Sequence, residues 1–154
     1  MEKKERESRE NNMVVFGIEE KLDSEERENT LDLINEFLES KLKTTSIKAV
    51  QARRLGRRTQ TPSKPRPILT IFQNANDKRA VTGKTAALAG IRIFLKDDLT
   101  KEQLQLKRQL QNTRKKLLQH LDFEGKKVTV YHNKIWVNRS PITDDMLRTA
   151  GISQ

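Results

Sequence analysis

Arg53, Arg54, Arg57 and Arg58 place four guanidinium groups in a short stretch, and no Asp or Glu occurs from residue 43 to residue 76 to neutralise them. A guanidinium is planar and permanently charged, and it grips a phosphate with two parallel N–H bonds. The chemistry these residues offer is polyanion binding by a loop that can wrap a backbone. A second set, Lys107 and Arg108 followed by Arg114, Lys115 and Lys116, lies further along. Residues 108 and 115 are about two helical turns apart and so share a face. Lys126, Lys127, Lys134 and Arg139 add charge around Tyr131, whose ring can stack on a base. For any single lysine the ordinary role is a solvated surface; the acid-free arginine set is what departs from it.

Other chemistries fare worse. Thr82-Gly83-Lys84-Thr85 ends like a phosphate-binding loop, but that pattern needs Gly where Lys78 stands, and no strand leads directly into it. The pairs Asp97-Asp98 and Asp144-Asp145 stand beside or inside a helix first turn, where the helix dipole favours acids, so capping accounts for them. There is no Cys, and His120 and His132 are the only histidines. Disulfides, thiolate catalysis and Cys- or His-rich metal sites are therefore excluded. No Ser/His/Asp set can be argued. The sequence Asn138-Arg139-Ser140 is a formal glycosylation site, but Pro141 follows and nothing indicates secretion. The expectation is a non-enzyme with no cofactor and no metal.

The chain has 154 residues, with 31 Lys+Arg against 21 Asp+Glu and a net charge of +10. Hydrophobic and charged residues each make up 34%, low but adequate for a modest core. The charge is uneven. Residues 1–45 hold 13 acidic and 8 basic side chains, a net of −5, and the remainder holds 8 and 23, a net of +15. A change of sign along the chain gives a polarised field, as a phosphate-binding surface requires. No apolar run approaches the ~18 residues of a membrane span, and the start, MEKKERESRE, lacks the apolar core of a signal peptide. An intracellular protein with no membrane partner is expected.

These basic groups need elements to hold them. Residues 1–11 read as a charged tail or the last turns of a coiled coil. Met13 to Ile18 reads as a buried strand, Asp23-Ser24-Glu25-Glu26 as a helix start, and Leu31, Ile34, Leu38 and Leu42 as one face of a helix running to about Leu42. Ile47 to Ala52 is a weaker strand, Thr59 to Lys64 an exposed loop, and Ile68 to Phe72 the clearest strand. Asn76 or Asp77 is expected to cap a helix through about Leu88, interrupted by Gly83, and Ile91 to Lys96 alternates as a two-sided strand. The order βαββαβ is that of ferredoxin-like and RNA-recognition-motif folds. Thr100 with Gln103 forms a capping box for a long helix. Val128 to Tyr131 and Ile135 to Val137 form a hairpin, with Trp136 read as core, and a short helix starts near Thr143. The fold class is α+β: residues 12–98 one domain, residues 99–154 a small helix–hairpin–helix domain.

Several segments, in order, resemble one family. Asn11-Asn12-Met13-Val14-Val15-Phe16-Gly17-Ile18-Glu19-Glu20 is similar to the start of the RNA-recognition-like domain in the protein of the first open reading frame of LINE-type non-LTR retrotransposons. Arg66-Pro67-Ile68-Leu69-Thr70-Ile71-Phe72 resembles its third strand, and Asp98-Leu99-Thr100 with Lys107-Arg108 its domain junction and basic pair. Tyr131-His132-Asn133-Lys134-Ile135 resembles its hairpin, and Asp145-Met146-Leu147 its final helix. The resemblance implies a protein that coats single-stranded RNA and DNA and acts as a chaperone for strand annealing. It implies cytoplasmic ribonucleoprotein particles, with the nucleus as a second location. It also implies a trimer held by an N-terminal coiled coil, which here is reduced or missing, so that this chain can be monomeric. Asn12, Lys107, Arg108, Tyr131 and Lys134 enter the binding set through it, beside Arg53, Arg54, Arg57, Arg58, Arg114 and Lys115.

Strand parity refines the picture. If Met13 and Val15 face the helices, Val14 and Phe16 face away. If Ile68, Thr70 and Phe72 face inward, Pro67, Leu69 and Ile71 face away, so the third strand offers no aromatic for stacking. Phe16 and Phe94, on neighbouring strands, are the only rings of this sheet placed for stacking, but packing beneath the Thr100–Leu121 helix is the favoured reading for both. Binding is then sequence-tolerant and driven by charge. With about six phosphates contacted, affinity should fall roughly a thousandfold between ~50 and ~200 mM salt. The competing reading is a ferredoxin-like protein-interaction or self-assembly module, favoured by an acidic first helix in an otherwise basic chain.

Overall fold

A computed structural model of the chain describes residues 1–20, 28–58, 64–131 and 133–152. The helix start expected at Asp23 to Glu26, nearly all of the Thr59–Lys64 loop, and His132 lie outside them. Among the described residues the architecture is mixed α+β, with five α-helices and two antiparallel sheets. The chain divides into two compact units, Met1–Asp98 and Leu99–Gln154.

The first unit opens with helix α1 (Glu2–Arg9), which buries none of its residues. Strand β1 (Asn12–Phe16) follows, then α2 (Thr30–Ser40), β2 (Ala49–Arg54), β3 (Ile68–Phe72), α3 (Ala75–Thr82), a 3-10 turn at Thr85–Leu88, and β4 (Phe94–Asp97). The sheet order is β2-β3-β1-β4, and every neighbouring pair is antiparallel. Period-2 alternation sends Met13 and Val15 inward with their partners Thr70, Ile68 and Leu95. There they meet Ile34, Phe37 and Leu38 of α2 and Val81 of α3 in one apolar cluster.

Several element ends differ from expectation, each for a local reason. Helix α2 starts at the Asn29 cap, whose Oδ1 accepts from the Asp32 N–H at 3.1 Å. It stops at Ser40 rather than Leu42, because the Thr44 N–H and hydroxyl both donate to the Leu38 carbonyl, each at 3.0 Å. Lys43 is then left-handed at φ 55°. Leu42 remains buried although it lies past the helix. Helix α3 is capped by Asn74, not Asn76 or Asp77, with Oδ1 accepting from the Asp77 N–H at 2.8 Å. Gly83 ends it, and the residues to Leu88 form a separate 3-10 turn. Strand β4 begins at Phe94, later than Ile91. Gly17, at φ 94°, lies so close to the preceding backbone that a Cβ there would stand 1.9 Å from the Arg92 carbonyl oxygen.

Strand β2 runs Ala49–Arg54 and carries a register shift between Ala49 and Gln51. The Asn35 side chain of α2 fixes its start, its Oδ1 accepting from the Ala49 N–H at 2.9 Å. Val50, the extra residue, is turned outward.

The second unit begins at the Thr100–Gln103 capping box, in which both reciprocal bonds are made. Helix α4 (Lys101–Leu118) follows, then a 3-10 turn at Leu121–Phe123, β5 (Val128–Tyr131), β6 (Lys134–Val137), β7 (Ser140–Pro141) and α5 (Asp144–Thr149), capped by Thr143. Residues 138 and 139 join β6 to β7 with both φ values positive, 49° and 72°, the geometry a tight hairpin turn needs. Leu117, Phe123, Val128, Ile135 and Val137 form a separate small core.

Candidate nucleic-acid interface

The shift at Val50 decides what the arginines of β2 do. Without it, Ala49, Gln51 and Arg53 would share the inner face. With it, Gln51 and Arg53 pair with the outward Ile71 and Leu69, while Ala52 and Arg54 pair with the inward Thr70 and Ile68. Arg53 is accordingly exposed, and so are Arg57 and Arg58 beyond the turn at Gly56. Arg53 and Arg57 make no ion pair among the described residues.

Arg54 corrects the sequence reading. Its side chain is 4% exposed and all five of its N–H groups are used. Nε and Nη2 form a fork on the Glu28 carboxylate at 3.0 and 2.7 Å. Nη1 donates to the carbonyls of Ile18 and Arg66, both at 2.8 Å, and Nη2 also donates to the Glu19 carbonyl at 2.9 Å. No donor remains for a phosphate. A second structural arginine, Arg66, donates through Nε and Nη2 to the Glu20 carboxylate and through Nη1 to the Gly56 carbonyl at 3.0 Å. The two pairs tie both ends of the β2–β3 connection to the segments flanking residues 21–27. Each carboxyl is held below its ordinary value of 4.5: Glu20 first by the hydrogen bonds from Arg66, Glu28 first by those from Arg54, in both cases against the opposing effect of burial.

Asn12 is also structural. It is 8% exposed, and its Nδ2 donates to Asp98 at 3.0 Å, while Arg9 donates to the other oxygen of the same carboxylate at 3.1 Å. Asp98 thus ties α1 and β1 to the end of β4, a task beyond the helix capping assigned to it from sequence.

On the sheet face opposite the helices, Val14 and Phe16 of β1 stand beside Leu69 and Ile71 of β3 and Phe94 and Lys96 of β4. Phe16 and Phe94 are direct cross-strand partners. Neither is buried: Phe16 is half-buried and Phe94 is 60% exposed. The Lys96 Nζ lies 5.4 Å from the centre of the Phe16 ring, within cation–π range.

In the second unit, Lys107, Arg108 and Lys115 are exposed on α4. Arg114 is not equivalent to them. It is half-buried, and its Nε donates to the Val128 carbonyl at 2.8 Å, anchoring α4 to β5. The hairpin pairs Tyr131 with Lys134 and Thr129 with Trp136. Val128, Val130, Ile135 and Val137 alternate onto the core, which leaves Thr129, Tyr131, Lys134 and Trp136 together on the other face. Tyr131 is 62% exposed. Trp136, expected in the core, lies beside it, half-buried, with Nε1 donating to the Tyr131 carbonyl at 3.1 Å. The pairing of Tyr131 with Lys134 fixes this parity, and alternation from that pair places Trp136 on the same face as Tyr131.

Among the described residues, no helix is long and apolar enough to cross a membrane, and no group of three acidic or histidine side chains is placed to hold a metal ion. Neither a family model nor a curated protein sequence matches the chain.

Proposed function

We propose that the chain is a sequence-tolerant single-stranded RNA- and DNA-binding protein that lets strands approach and re-pair by neutralising their charge. The observation that carries this reading is the exposed cation set at the end of β2, Arg53 with Arg57 and Arg58, in a stretch with no acid from residue 43 to 76. The strand order β2-β3-β1-β4, with α2 and α3 on one face, supports describing the first unit as RNA-recognition-like. Leu69 and Ile71 on β3 lack the rings that commonly read bases there, which supports low sequence preference. Lys107, Arg108 and Lys115 on α4, and Tyr131 with Trp136 on the hairpin, give the second unit its own phosphate and stacking groups. The resemblance to the first-open-reading-frame protein of LINE-type retrotransposons adds the setting, a ribonucleoprotein particle, and the chaperone role.

Anisotropy of a labelled single-stranded RNA of about 30 nucleotides, titrated from ~50 to ~200 mM salt, tests the reading. A steep loss of affinity supports it. Absence of binding, with self-association seen by light scattering, would instead favour an assembly module.

A further inference from the structure

A groove of about 720 Å³ opens on the first unit where β1 ends and β4 begins. Phe16 and Phe94 line it, together with the cations Lys64, Arg92 and Lys96 and one acid, Glu19. Its volume suits a single small ligand. We propose that this groove is a discrete mononucleotide subsite, in which one base stacks on Phe94 and the attached phosphate is held by Lys64, Arg92 and Lys96. The inference takes its ligand class from the function proposed above and adds one defined binding position to a surface otherwise governed by charge.

Three observations carry it. First, Phe94 is a large apolar ring left 60% exposed beside a half-buried Phe16, which provides an uncovered stacking face next to a cation-capped floor. Second, the cations converge from separate parts of the chain: Lys64 precedes β3, Arg92 precedes β4 and Lys96 lies within it. Arg92 is brought there by the backbone approach that only Gly17 permits. None of the three has a carboxylate partner among the described residues. Third, Glu19 makes the lining mixed. A carboxylate repels bare phosphate but accepts from the exocyclic amino groups of a base, so the groove suits a nucleotide better than an inorganic anion.

The test is a titration of the full chain with adenosine 5′-monophosphate at low salt, read by amide chemical shifts, with ribose 5-phosphate and adenosine as probes lacking base or phosphate. The expected result is a saturable shift centred on Gly17, Phe94 and Lys96. Ribose 5-phosphate should bind roughly tenfold more weakly, and Phe94→Ala should weaken the nucleotide by a similar factor. Arg92→Glu, a change on an exposed side chain, should weaken the nucleotide but leave adenosine unaffected. Equal binding of all three probes, or shifts that never saturate at the groove, overturns the subsite. If that happens while the long RNA still binds with a steep salt dependence, the function proposed above stands and the subsite alone fails. A saturable nucleotide site in a chain that does not bind the long RNA supports the subsite and removes the broader reading.

Discussion

Two adjacent arginines should fail in opposite ways. Arg54→Ala removes a fork that is 4% exposed from a Glu28 carboxylate that is 12% exposed, and it leaves the carbonyls of Ile18, Glu19 and Arg66 without that donor. Stripping one partner from a buried ion pair costs about 3–5 kcal/mol. A unit of this size shifts its melting temperature by roughly 4–8 °C per kcal/mol, so the first unit should melt at least ~12 °C lower. Arg53→Ala removes only an exposed side chain and should change stability by no more than about 0.5 kcal/mol. Its effect should appear in RNA binding, where each lost phosphate contact on a single strand lowers the salt slope by about 0.7. Adding Arg57→Ala and Arg58→Ala should lower it by about 2 in all. Thermal unfolding by circular dichroism and anisotropy across salt, run on both single variants, separate the two roles. Recovery of part of the lost stability by Glu28→Gln in the Arg54→Ala background would locate the penalty in the orphaned carboxylate. Equal melting temperatures, with a matching loss of salt slope in both variants, would refute the inward placement of Arg54.

Glu20 and Glu28 have folded-state pKa values below the ordinary 4.5, so their ion pairs contribute fully above that pH and are lost as pH falls through the depressed values. Acid unfolding should therefore steepen below about pH 4.5, and Glu28→Gln should flatten that limb in a pH series of melting temperatures. The buried Thr70 Oγ1 has no hydrogen-bond partner among the described residues, so Thr70→Val should stabilise the first unit by about 1 kcal/mol in urea unfolding. Tyr131→Ala should weaken single-stranded RNA by about 1–3 kcal/mol at fixed salt and leave the salt slope unchanged, whereas Lys107→Ala should lower that slope.

What the sequence revealed depended on whether the deciding interaction was local. The inward set Met13, Val15, Ile68, Thr70 and Phe72 follows from simple alternation and is seen in the sheet. The Thr100–Gln103 box is a contact within four residues and forms as read. The cap at Asn74 is equally local, but Asn74, Asn76 and Asp77 all offer a capping side chain in that stretch and the sequence alone does not choose among them. The structural roles of Arg54, Arg66, Asn12 and Arg114 have no local signal in the sequence. Their partners, Glu28, Glu20, Asp98 and the Val128 carbonyl, are 14 to 86 residues away, and nothing in an arginine's neighbours announces such a partner. Val50 matters most here, since one extra residue inverts the faces of everything after it in β2.

That inversion has a consequence for how the edge of the sheet assembles. If β2 paired without its extra residue, Arg53 would stand opposite Ile68 at the station that faces Glu28, Ala52 would take the outward station opposite Leu69, and Arg54 would move one place beyond Ile68. The chief mismatch is Gln51 in place of Ala52 against the helices. The Arg-Arg doublet therefore keeps a guanidinium at the Glu28 station in either phase, whereas the outward station opposite Leu69 carries one only in the native phase, so the extra residue at Val50 is what lets one arginine brace the edge while its neighbour stays exposed.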